Sequence, residues 1–186
     1  MSTELSSAAT RVLPFVAALF FLWIGKKRGG IVPEKICLVK PGSWPRYFLW
    51  CVFFIGLILL TETILFQAGL LEIDRWNYPF LPSLIRIIGA VILAPVVEEV
   101  IFRGVLLSKL HEKLNLHTAI AIQAVLFVLA HSFTYQNTLS SNLATAQTLM
   151  DGLLYGYARR HTRSLYTPMT MHMIGNFAAT AERFLF

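Results

Sequence analysis

A bundle of about six transmembrane α-helices enclosing an intramembrane polar site is the architecture this sequence predicts, as one integral-membrane domain over residues 1–186. Three observations predict it. Apolar residues make up 56% of the chain and charged residues only 14%, whereas a water-soluble domain carries about 25% charged residues; mean hydropathy is +0.62. The apolar residues fall in blocks near the ~20 residues a helix needs to cross a bilayer. The basic residues collect between those blocks, and mainly in alternate connections. The sequence shows no internal repeat and no low-complexity tract.

The spans are drawn at 6–25, 47–70, 83–108, 117–134, 142–158 and 165–184. The first resembles a signal peptide only in its apolarity. "FLWIGKKRGG" offers no small-residue cleavage site and its positive charge follows the block, so it reads as a retained span. Pro33, Pro41 and Pro45 with Gly29, Gly30 and Gly42 make the first connection a loop before the second span. "NYPFLPS" marks another loop, and Pro82 with Ser83 suits the start of the third span. Gln123 in the fourth span and Gln147 in the fifth are expected to hydrogen-bond between helices. Gly152 and Gly156, four apart in the fifth, are expected to permit close helix contact. At the sixth, Thr167 reads as the N-cap and Pro168 as the first helical residue. Trp23, Trp44, Tyr47, Trp50, Trp76 and Tyr78 fall near span ends, where interfacial aromatics belong.

Charge placement orients the bundle. Lys26, Lys27, Arg28, Lys35, Lys40 and Arg46 lie around the first connection, Lys109 and Lys113 at the third, and Arg159, Arg160 and Arg163 at the fifth. The second sets Arg75 against Glu72 and Asp74, and "TYQNTLSS" in the fourth is uncharged. By the positive-inside rule the odd connections are cytoplasmic and both termini lie outside the cytoplasm. The net charge of +6 is therefore a topology signal. It forms no continuous basic stripe with interleaved aromatics, which argues against a nucleic-acid partner. Cys37 and Cys51 supply neither a disulfide framework nor metal-site spacing and read as free thiols.

The residues that could do chemistry interrupt the apolar blocks. "APVVEEVIFRG", Ala94 to Gly104, places Glu98, Glu99 and Arg103 within the third span. Positions four apart share a helix face, so Glu99 and Arg103 can pair, while Glu98 points elsewhere with no basic partner on its own helix. A charge at bilayer depth costs roughly 2.5–3.5 kcal/mol or more, so these groups should face a protein interior or a wet cavity. A purely structural pairing network would explain Glu99 and Arg103 but not Glu98. "FVLAH" sets Phe127 and His131 four apart, and "HMIGN" does the same for His172 and Asn176. Together these groups could supply a general base, imidazoles that hold a water, and an amide donor for an oxyanion. Glu62 and Asp151 are further acids at span depth; Asp151 could face the site, and Glu62 could meet water or pair across helices.

Three motifs, Glu98-Glu99-Val100-Ile101-Phe102-Arg103, Phe127 to His131 and His172 to Asn176, occur in this order on three spans, with one span between the second and third. In this the sequence resembles the CPBP intramembrane proteases, a family of CAAX prenyl endopeptidases, bacteriocin-processing or immunity proteins and prokaryotic sorting-signal proteases. The resemblance covers about residues 83–180 and lacks no motif letter. The shortness of the chain resembles prokaryotic members, which implies a cytoplasmic membrane.

The resemblance implies an endopeptidase acting on a membrane-associated protein or peptide, whether a CAAX-like tail, a leader or a C-terminal sorting signal. It implies that Glu98 activates a water, that His131 positions it, and that His172 and Asn176 stabilise the oxyanion. Glu99 and Arg103 would hold the site's shape, with Phe127 and Asp151 supporting it. No cofactor is expected. From the residues alone, Glu98, His131 and His172 could also bind Zn²⁺, although HExxH is absent and "HEKLN" at His111 lacks the second histidine.

Two rival classes stay in view. A non-catalytic immunity or partner protein would keep the fold without the activity. An ion-coupled transporter would show an inverted repeat or broken helices, and the sequence shows neither. At about 1.5 Å per residue, the three motifs count to mid-depth. That predicts a wet chamber opening toward the basic connections or sideways into lipid. The sequence leaves oligomeric state and substrate identity open.

Overall fold

The computed structural model describes residues 3–70, 73, 75–132 and 135–185. Glu72 and Asp74, the acids set against Arg75 in the second connection, lie outside the described residues. The described chain is all-α and belongs to a helical membrane bundle. Its helices are α1 (Thr3–Lys27), α2 (Trp44–Gln67), α3 (Phe80–His111), α4 (Leu116–His131), α5 (Leu139–Thr162) and α6 (Tyr166–Leu185). Each falls on one of the spans drawn from sequence. By length and apolarity α1, α2 and α3 can each cross a bilayer, and α4 is apolar but shorter.

Local signals explain most of the boundaries. Ser43 caps α2, with Pro45 in its first turn; Asn115 caps α4 by accepting from Thr118 N–H, and Thr138 caps α5 by accepting from Ser141 N–H. Two starts differ from expectation. α3 begins at Phe80, and Ser83 accepts from Trp76 Nε1 and donates to the Tyr78 carbonyl, so it ties down the preceding loop. α6 begins at Tyr166, whose N–H is taken by the Ser164 hydroxyl. Thr167 is therefore already helical, and its hydroxyl bonds the Thr162 hydroxyl across the turn.

The central helix is α3, the most buried of the three long apolar helices. It is not uniformly α-helical. Ile88–Leu93 and Glu99–Leu106 are π-helical, and Ala94 N–H reaches back five residues to the Gly89 carbonyl. Pro95 follows at once; it has no N–H to return and its ring crowds the preceding turn, so a widened turn relieves the conflict. The second π segment likewise ends with Leu107 N–H on the Phe102 carbonyl. Glu98 sits between the two widened turns.

Around α3 the packing is close where small residues allow it. A Cβ on Gly89 would come within 2.4 Å of Val12 on α1. On α5, Cβ atoms on Gly152 and Gly156 would meet Ala124 at 3.1 Å and Ile120 at 2.9 Å, so the paired glycines do permit close contact with α4. Gln123, fully buried on that α4 face, has no hydrogen-bond partner for either amide atom among the described residues. The glycine contact brings backbone against it where an interhelical bond was expected. Phe54 and Ile58 of α2 pack with Tyr155 and Ala158 of α5 and Met171 of α6 in the largest buried cluster. Outward-facing apolar residues such as Phe21, Val52 and Leu60 present hydrocarbon to the bilayer.

The two ends of the bundle differ. At the basic end, the segment between α1 and α2 folds over the α5–α6 turn. Leu165 N–H donates to the Cys37 carbonyl at 2.7 Å, Gly42 N–H to the Thr162 carbonyl at 3.0 Å, and the Ser164 hydroxyl to the Val39 carbonyl. At the other end Arg86, buried in α3, pairs with Glu4 and donates to Ser7 of α1, and Trp76 stacks on Phe184 of α6.

Candidate active site

Three helices, α3, α4 and α6, bring the motif residues together, with α5 packed beside them. The neighbours Glu98 and Glu99 leave α3 in different directions, as adjacent helical positions must. Glu99 is 0% exposed; its Oε1 accepts from Arg103 Nη1 at 2.8 Å, one turn on, and from His172 Nδ1 of α6 at 2.9 Å. Arg103 is also 0% exposed, donates to the Gly152 carbonyl of α5 and lies between the Phe127 and Tyr155 rings, 4.1 and 5.1 Å from their centroids. The aromatic faces complement a cation that has left water.

Glu98 has the separate surroundings that the i, i+4 pattern predicts. Its Oε2 is 3.6 Å from His131 Nε2 of α4 and 3.7 Å from His172 Nε2 of α6. It is 17% exposed and His131 is 40% exposed, so this side of the cluster reaches open space. Phe127 fixes the histidine twice: its carbonyl accepts from His131 Nδ1 at 2.8 Å and its ring lies 4.3 Å from the imidazole.

The hydrogen bonds settle the tautomers. A carbonyl and an ionised carboxylate can only accept, so Nδ1 carries the hydrogen in both histidines. In the neutral rings both Nε2 atoms are therefore acceptors, and both face the Glu98 carboxylate. Three acceptors converge there in the neutral rings, an arrangement suited to a group that supplies hydrogens or positive charge. Among the described residues no group of three or more His, Cys, Asp or Glu side chains is arranged to hold a metal ion.

Asn176 is one turn beyond His172 on α6 and borders the same cavity. Its Nδ2 donates one hydrogen to the Ala90 carbonyl, in the first π segment of α3, at 2.8 Å, which leaves the second free. The cavity measures about 190 Å³ and is bordered by His131, His172, Asp151, Glu62 and Gln147 among others. Asp151 thus faces the site's cavity. Glu62 borders the cavity, with the Glu182 carboxyl of α6 near it.

The sequence predicts a chamber that opens toward the basic connections or sideways into lipid, and the cavity's lining bears on the first of these. Its outer border is Glu62 near the end of α2, Gln147 and Thr148 near the start of α5, and Ala179 near the end of α6. It therefore runs toward the end opposite the basic connections. At the basic end the 31–43 segment lies over the α5–α6 turn. One important neighbour went unread in the sequence. Tyr155, 1% exposed, stacks on the His172 ring at 5.3 Å and 26°. Its position four residues after Asp151 was the available signal, whereas the Ala90 carbonyl has no side-chain signal at all.

Comparison with known proteins gives a family match over the segment that carries these residues. Residues 79–178, which contain all of these motifs, match the family described as "Type II CAAX prenyl endopeptidase Rce1-like". A curated relative, an "Uncharacterized 24.3 kDa protein" of Escherichia coli, is 30% identical over 125 residues. That match covers 66% of this chain and 55% of the relative, so it spans little more than half the relative's length. No solved structure matches the chain.

Proposed function

Because the chain belongs to the Rce1-like family of type II CAAX prenyl endopeptidases, we propose that it is an intramembrane endopeptidase in which Glu98 is the general base. The observation that carries this reading is the division of labour between neighbouring glutamates. Glu99 holds Arg103 and His172 in a fully buried network, while Glu98 is left facing two imidazole nitrogens from two other helices.

A water held by Glu98 donates one hydrogen to that carboxylate and the other to His131 Nε2. As its oxygen bonds to the substrate's carbonyl carbon, the proton passes to Glu98 and the carbonyl oxygen becomes an oxyanion. Asn176 offers that oxygen its free amide hydrogen. His172 donates from Nε2 only when doubly protonated, since its Nδ1 hydrogen is given to Glu99. Collapse of the intermediate breaks the C–N bond, and Glu98 returns its proton to the leaving amine. The substrate is a membrane-anchored protein or peptide, and the first to try is a prenylated tail of the kind the family is named for. The mechanism uses no cofactor.

The test is cleavage of a prenylated, CAAX-ended peptide in proteoliposomes by wild type and by Glu98→Gln, with and without a chelator. Removing a general base costs typically 10²–10⁴-fold, and a loss of that order at normal protein accumulation is expected, with chelation harmless. Wild-type activity in Glu98→Gln would refute the role. Activity abolished by chelation and restored by Zn²⁺ would instead make Glu98, His131 and His172 metal ligands.

A further inference from the structure

We infer that the basic end of the bundle carries a binding site for one anionic phospholipid, its phosphate in a polar bowl and an acyl chain in an adjoining apolar groove. The site stands apart from the peptidase reading and does not depend on it. The bowl, about 720 Å³, is bordered by Lys35, Lys109, Arg159, Arg160, Arg163 and His111. Glu112 is the one acid among its bordering residues.

The positive-inside rule explains the sign of this charge, but not the burial of one of its members. Arg159 is only 9% exposed. Its Nη2 donates to the Ser108 hydroxyl at 2.6 Å and the Cys37 thiol lies against it, yet its Nε has no partner. No carboxylate pairs with it among the described residues, whereas the other buried arginines, Arg86 and Arg103, each have one. A buried cation normally has an ionic partner. Here the buried, carboxylate-free guanidinium borders a bowl lined by four more cations, which suits a phosphate group.

The groove argues for a lipid as the source of that phosphate. Ile31 and Ile36 border both spaces, the bowl on one side and an apolar groove of about 470 Å³ on the other. Leu19 and Leu22 of α1, Val96 and Val100 of α3, and Met169 and Met173 of α6 line that groove, with Lys26 beside them. Phosphate-binding charge next to a hydrocarbon slot, at the end of the bundle where anionic headgroups concentrate, matches a phospholipid in both parts.

The experiment uses the full chain purified in neutral detergent and titrated with phosphatidylglycerol, phosphatidylcholine or inorganic phosphate. Retained lipid is read by native mass spectrometry and stability by thermal unfolding. Phosphatidylglycerol should be retained and raise the unfolding temperature, phosphatidylcholine should do neither, and inorganic phosphate should bind far more weakly. Arg159→Gln should weaken phosphatidylglycerol binding roughly five-fold or more. The exposed substitutions Lys35→Gln, Lys109→Gln and Arg160→Gln, combined, should weaken it further without touching the fold. Equal retention of the two lipids, or wild-type binding by the triple variant, would overturn the site. Inorganic phosphate binding as tightly as phosphatidylglycerol would overturn the lipid as its occupant.

Discussion

Two adjacent glutamates with opposite fates define the residue scale. Arg103 sits in a space that only its charge partners make tolerable, between two aromatic rings and the Glu99 carboxylate. Arg103→Ala would strand that carboxylate, whose second oxygen already lacks a partner. We expect a loss of about 3–5 kcal/mol of stability, seen as a lower unfolding temperature in detergent, where Glu98→Gln leaves it unchanged. Gln123 gives the reverse case. Its amide is fully buried with neither end bonded, so Gln123→Met, similar in size and without the polar group, should stabilise by about 1–3 kcal/mol. A destabilised Gln123→Met would show that the amide has a partner in the folded protein.

At the scale of elements, α3 depends on widened turns and on one close neighbour. The Glu98 carboxylate lies between two π-helical segments, and the first is anchored to α1 where Gly89 meets Val12. Gly89→Ala should force the two helices apart and cost about 1–3 kcal/mol. Adding Val12→Ala should restore most of that loss, because the clash is with the valine methyl. A double variant as unstable as the single one would place the cost in the helix itself. The same logic explains which element features the sequence exposed. Caps at Ser43 and Asn115 are local chemistry, as is the conflict Pro95 sets up, whereas the second π segment contains no such residue.

Across the whole molecule, charge and cavity point to opposite ends. The basic connections share one end, which the 31–43 segment covers, and the site's cavity runs to the other. If the basic end is cytoplasmic, reporter fusions after residues 30, 112 and 162 should read as cytoplasmic and one after 138 should not. The substrate would then reach Glu98 from the non-cytoplasmic side. A non-cytoplasmic signal at residue 30 would invert the bundle and turn the cavity toward the cytoplasm.

The sequence by itself determined the membrane bundle, its helices and the motif residues, because block length, capping and i, i+4 spacing are local properties of the chain. It also separated Glu98 from Glu99, since adjacent helical residues cannot share a face. It left the chamber's mouth between the basic end and the lipid side, because the cover over the basic end joins a loop and a turn far apart in the chain. The tautomers of His131 and His172, the stacking of Tyr155 and the Ala90 carbonyl under Asn176 were likewise decided only by tertiary structure. Each is a contact between helices, and its geometry exists only once both backbones are in place.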